Sequence, residues 1–118
     1  MTHVHDINWG NYQFFEAREF THPNKMDPRL LRKLDNARAF AGIAFVITSS
    51  FRPESTTSHG RGTGVDIRCH DSLSRFRIVE ALLHEKFTRI GIYDKHIHAD
   101  IDSSEDAPQE VIWWGTSA

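Results

Sequence analysis

The stretch Arg89-Ile90-Gly91-Ile92-Tyr93-Asp94-Lys95-His96-Ile97-His98-Ala99-Asp100-Ile101 reads as two strands joined by a tight turn through Asp94 and Lys95. Side chains alternate along a strand, so His96, His98 and Asp100 share one face while Ile97, Ala99 and Ile101 share the other. The apolar face belongs in a core. The face with two imidazoles and a carboxylate then opens on a cleft.

Upstream, residues 65–69 alternate in the same way, with Asp66 and Arg68 opposite Val65, Ile67 and Cys69. Before them lies a loop at residues 54–63, rich in Ser, Thr and Gly, that carries His59. Residues 43–49 read as a buried strand that runs into Ser50-Phe51-Arg52-Pro53. Two helices complete the pattern. The first has Asp27 as cap, Pro28 in the first turn, Leu30, Leu34, Ala37 and Ala41 at helical spacing, and Gly42 at its end. The second starts near Ser72 or Ser74 and carries Phe76, Val79, Leu82 and Leu83 on one face. Phe14, Phe15 and Phe20 are available to pack on the core, behind a loosely held segment at residues 1–12. Val111-Ile112-Trp113-Trp114 reads as a short edge strand whose tryptophans close the core. The order implies one α+β domain over residues 1–118, with a small, mainly antiparallel sheet and helices packed on one face.

Composition narrows the function classes. The chain has 118 residues, 39% hydrophobic and 25% charged, which suits one globular domain without a separate binding module. Fourteen basic and sixteen acidic residues leave a net charge of −2, with no long basic run, so nucleic acid is not the expected partner. The single cysteine, Cys69, excludes an internal disulfide and a cysteine-based zinc site. The longest apolar run, residues 39–47, is too short to span a bilayer, so no membrane is expected. The N-terminus has neither a cationic nor an apolar leader region, which implies synthesis in the cytoplasm.

Asp66 and His98 lie on different strands, each flanked by apolar neighbours, and His59 precedes Asp66 in a glycine-rich loop. Two imidazole nitrogens and one carboxylate form the ligand set of a catalytic zinc site, whose fourth position is left to water. His59, Asp66 and His98 are therefore the expected ligands of one Zn2+ per chain. A second His-x-His pair, His3 and His5, has no third ligand of similar promise nearby.

The segment His59-x-x-Gly62-x-Gly64-x-Asp66-Ile67 resembles the His-x-x-Gly-x-Ala-x-Asp signature of the zinc D-Ala-D-Ala carboxypeptidases. Their relatives include phage L-alanyl-D-glutamate endolysins and the zinc domain of hedgehog proteins. Ser49-Ser50-Phe51-Arg52 is similar to the Ser-x-x-Arg strand end of that family, and residues 87–98 to its closing hairpin. The resemblance spans residues 14–114. Thr57 replaces the usual Ser, Gly64 the usual Ala, and Lys95 stands where many members keep a Glu. The His96-x-His98 form is similar to the lysostaphin-type branch, in which the second His binds zinc and the first assists catalysis.

The resemblance implies a hedgehog-like fold and a zinc metallopeptidase that cleaves peptidoglycan stem peptides as a carboxypeptidase or endopeptidase. Arg52 and Ser50 would bind substrate, Arg52 also aiding catalysis, and Tyr93 would line the cleft. Arg61 would meet an anionic stem peptide or remain a solvated charge. With Lys95 in place of the glutamate, the general base stays open among His96, Asp94 and Asp100, ranked in that order, with Asp100 alternatively orienting a ligand imidazole. Small size and the lack of a leader suit a monomeric phage or prophage endolysin that reaches the cell wall after release by another factor, or as a virion component. The alternative is a non-catalytic zinc module of the same fold, used for structure or partner binding.

Overall fold

The computed structural model describes residues 7–116, so His3 and His5 lie outside the described residues, as does half of the 1–12 segment. Three single-turn 3-10 helices, Trp9–Asn11, Ala17–Glu19 and Pro23–Lys25, lead into helix α1, Pro28–Ala41. Then follow β1 (Ile47–Ser49), α2 (Ser58–Arg61), β2 (Gly64–Arg68), α3 (Ser72–His84), β3 (Arg89–Ile92), β4 (His96–Asp100) and β5 (Val111–Trp114). The strands form one sheet in the order β1-β2-β4-β3-β5. Every pair is antiparallel except β3 with β5, which is parallel. The architecture is α+β, as the alternation of periods implies.

Helix α1 has the expected ends. The Asp27 carboxylate accepts from the Arg29 N–H at its start, and Gly42, at φ 71°, closes it with an N–H bond to Arg38 O. Leu30, Leu31, Leu34 and Ala37 are fully buried beneath it. Asp35 is buried too, and its carboxylate accepts the N–H groups of Gln13 and Phe14 at 3.0 and 2.8 Å. That contact ties the leading segment down, with Ile7, Trp9 and Tyr12 packed against the core. Phe15 and Phe20 are buried, whereas Phe14 faces outward.

Two elements depart from the expectation. The first strand begins at Ile47 instead of residue 43, and a bulge separates its pairs Ile47↔Ile67 and Ser49↔Asp66. Residues 43–46 still bury Phe45, and Val46 O accepts from the Arg68 N–H, but they join no ladder. The second departure is the buried face of α3, which consists of Ile78, Ala81 and Leu82. Phe76 and Leu83, expected inside, are 64% and 50% exposed. The buried face is rotated by roughly a third of a turn from the expected stripe, sharing Leu82 with it, and lies where α3 packs against α1.

The β3–β4 hairpin closes through Asp94 and Lys95, with the Tyr93 N–H donating to His96 O at 3.0 Å. The edge strand β5 places Trp113 toward the cleft, while Trp114 is 81% exposed on the other face. Neither tryptophan closes the core. No helix among the described residues is long and apolar enough to cross a membrane.

Candidate metal centre

The register of β2 against β4 sets Asp66 directly opposite His98. Both point to the face away from the buried Val65, Ile67, Ile97 and Ala99. His59 reaches the same point from α2, a single helical turn where the sequence reads as open loop. The ligand atoms of His59, Asp66 and His98 lie within 4.8 Å of one another. Asp66 Oδ1 is 3.4 Å from His59 Nε2 and 3.0 Å from His98 Nδ1.

Two glycines let α2 pack closely against its neighbours here. Gly62 ends α2 at φ 71°, and a Cβ there would fall 2.0 Å from the carbonyl oxygen of Lys25. The crowding is against the segment before α1 and does not involve the ligands. At Gly64, a Cβ would meet Ser58 Oγ at 2.4 Å, so the serine of α2 fills the space that a β2 side chain would need.

Each imidazole is held from behind. His59 Nδ1–H donates to Ser50 O at 2.8 Å, and His98 Nε2–H donates to Asp100 Oδ2 at 2.6 Å. His59 Nε2 and His98 Nδ1 are thereby turned inward together, the arrangement that orients histidines around a metal. Asp100 is itself held: its Oδ1 accepts from Arg89 Nε at 2.7 Å and from the Asp102 N–H at 3.0 Å. The donor set, with a partner behind each imidazole, fits a divalent cation with affinity for imidazole and carboxylate, with the cleft side open.

Electrostatics agrees with the geometry. Burial works against charge on Asp66, but the hydrogen bonds from His59 and His98 outweigh it and hold the carboxyl far below its usual range. Burial likewise opposes an imidazolium at His98, yet hydrogen bonds to Asp100 and Asp66 raise its pKa. Asp100 is lowered against the cost of its burial by His98 and the Asp102 N–H.

The centre forms the floor of an open cleft of about 680 Å³, walled by Arg52, Arg61, Tyr93, His96, Asp102 and Trp113. Arg52 is exposed on the rim, and its backbone N–H binds His59 O at 3.0 Å. Tyr93 and His96 stack with ring centroids 4.3 Å apart, and Trp113 Nε1–H donates to the Tyr93 oxygen at 3.1 Å. His96 Nε2 comes within 3.9 Å of Asp66 Oδ1. Arg61 pairs with Asp102 across the cleft's far end.

The structure leaves two of the expected site residues outside the cleft. Asp94 is exposed in the β3–β4 turn and does not contribute to the cleft wall. The Ser50 side chain is buried against Thr21, its Oγ 3.0 Å from Thr21 Oγ1, so only its carbonyl serves the site. Arg89 and Asp102 also line the cleft and bond to Asp100, which the hairpin reading passes over. Extending the alternation from His96 into β3 would have found Arg89, because its Cα partner in the ladder is Asp100. The chain matches no family model, no curated protein and no solved structure, so the arrangement of the site carries the functional argument.

Proposed function

We propose that the chain is a zinc-dependent peptidase whose substrate is a peptidoglycan stem peptide, acting as a lytic enzyme of phage or prophage origin. The observation that carries this reading is the convergence of His59 Nε2, Asp66 Oδ1 and His98 Nδ1 at the floor of an open cleft, each imidazole held from behind. A structural zinc site is normally closed by four protein ligands, whereas a catalytic one keeps a position open. When bound, zinc supplies a Lewis acid for the scissile carbonyl and an acidified water.

The chain's own residues supply the rest. His96 lies on the cleft wall beside the ligands and moves a proton from the nucleophile to the leaving amine. Its stack on Tyr93 fixes the ring plane. The Tyr93 oxygen accepts from Trp113, which leaves its own O–H to donate to the substrate. Arg52 on the rim binds a substrate carboxylate or the developing oxyanion. Asp100 orients His98 and takes no proton from substrate, since both of its oxygens are bonded.

A second reading, a non-catalytic zinc module, draws support from two facts: Asp94 lies outside the cleft, and Asp100 is buried with both oxygens bonded, so His96 must serve where many members of the family it resembles use a glutamate. Purified protein with zinc, incubated with isolated cell walls of several types, separates the two. The peptidase reading expects release of new amino groups that a His98→Ala variant fails to give. No release anywhere between roughly pH 6 and 9 sinks it. Mass spectrometry of products from a defined muropeptide then names the bond, and metal analysis separates zinc from cobalt or manganese.

A further inference from the structure

On the cleft side of the sheet, two neighbouring rows of residues cross β4, β3 and β5. In one row, Gly91 is the Cα partner of both His98 and Trp113. The next row brings His96, Tyr93 and Gly115 together. There the Tyr93 N–H donates to His96 O and the Gly115 N–H to Ile92 O, each at 3.0 Å. Each row thus holds one glycine beside one large ring.

The glycines are where the rings sit. A Cβ at Gly91 would lie 2.7 Å from Trp113 Cε2 and 2.8 Å from its Nε1, so the indole occupies the space above β3 that a side chain there would fill. It reaches the His98 ring, 5.6 Å away between centroids. A Cβ at Gly115 would run into the Tyr93 ring, so the phenol covers β5 in the same way. The two rings meet diagonally, where Trp113 Nε1–H donates to the Tyr93 oxygen at 3.1 Å. The Arg89 guanidinium packs over the indole, 5.2 Å from its centroid, and the His96 ring stacks on the phenol.

An indole N–H can only donate. The Tyr93 oxygen therefore accepts at this contact, and its single proton must point elsewhere. Among the described residues the Tyr93 hydroxyl donates to none, and Tyr93 lines the cleft. We propose that Trp113 is a positioning residue: its N–H fixes the rotation of the Tyr93 hydroxyl, so that the proton is presented to the carbonyl oxygen of the bond being cut. The inference rests on the peptidase reading. A donor oriented before substrate arrives needs no reorganisation as the oxyanion develops. Edge strand β5, which supplies no metal ligand, thereby acts on the reaction through one hydrogen bond.

Trp113→Phe keeps an aromatic ring over Gly91 and removes the N–H. Kinetics on a defined muropeptide compare the zinc-loaded wild type, Trp113→Phe, Tyr93→Phe and the double variant. For Trp113→Phe, kcat is expected to fall about tenfold with KM within a few-fold of wild type. Tyr93→Phe should cost about 10²- to 10³-fold. In the double variant the tryptophan effect vanishes, because no hydroxyl is left to orient. Independently of turnover, the indole N–H resonance of Trp113 should move upfield in Tyr93→Phe, with or without zinc. A resonance indifferent to Tyr93→Phe overturns the proposal. So does an undiminished kcat in Trp113→Phe, or a loss that is equal with and without the Tyr93 hydroxyl. A zinc-loaded wild type that cuts no muropeptide is a different failure: it sinks the peptidase reading, and this role with it, even where the resonance shifts.

Discussion

His98 Nε2 lies 2.6 Å from Asp100 Oδ2, two residues further along the same strand. This contact decides which nitrogen of His98 faces the cleft. With Nε2 engaged by a carboxylate, Nδ1 is left to point at Asp66 Oδ1, 3.0 Å away. Asp100 is thus a support for a ligand, held in turn by Arg89.

Asp100→Asn keeps the shape of that support and removes its charge. Zinc affinity is expected to fall by about 10- to 100-fold, the usual effect of losing a partner behind a ligating histidine. Competition with a chromophoric chelator measures it. An unchanged affinity would show that Arg89 and Asp100 serve packing alone.

The metal-free protein and the zinc form should respond oppositely to pH. The folded-state pKa of His98 is raised, so the stability it contributes is fully present below the unfolded value of ~6.5 and is lost as pH rises through the folded value. Asp66 and Asp100 are lowered, so their contribution is present above ~3.9 and is lost as pH falls through their folded values. The metal-free protein should therefore melt highest in mildly acidic solution. Zinc must displace the His98 proton, so its binding strengthens with rising pH. At a hundredfold excess over Kd, zinc raises the melting temperature by on the order of 10 °C. Melting curves from acid to mild alkali, with zinc and with chelator, check both slopes.

Gly62→Ala is expected to destabilise the fold by roughly 2 kcal/mol or more, because the new Cβ meets the Lys25 carbonyl and the backbone is left-handed there. The Gly62 carbonyl also accepts the Asp27 N–H at 2.9 Å, so α2 and the start of α1 shift together. Zinc affinity should drop with it, since His59 rides on α2. Denaturant unfolding and metal titration on the same sample test the coupling.

His96→Ala separates chemistry from binding. The side chain lies near the ligand set without belonging to it. On the peptidase reading, kcat falls by roughly 10²- to 10⁴-fold while zinc affinity stays within a few-fold of wild type. A parallel loss of zinc would instead make His96 a ligand. Activity that survives intact would move the proton transfer elsewhere in the cleft.

Much of the fold was legible because its signals are local. Asp27, Pro28 and Gly42 announce the ends of α1 through capping chemistry that acts within one helical turn. The hairpin from Arg89 to Asp100 shows in its alternation. The buried face of α3 was misread because Phe76 and Leu83 look like core residues, and only the packing of α1 shows that Ile78, Ala81 and Leu82 face inward. Ser50 was misread for a similar reason. Its backbone carbonyl does the work, and a one-letter code carries no information about a carbonyl.

Side-chain direction along a strand is set by the pleat of the chain itself. The sequence alone therefore determined that His96, His98 and Asp100 share a face and that Asp66 lies opposite Val65 and Ile67. The sequence also put Asp66 in the candidate metal set, but what Asp100 does beside His98 was decided by tertiary structure. Asp66 faces His98 because β2 pairs with β4 in one particular register, and Asp100 stands behind His98 because Arg89 holds it there. Register and helix placement depend on packing between segments distant in the chain, and no local pattern encodes that distance.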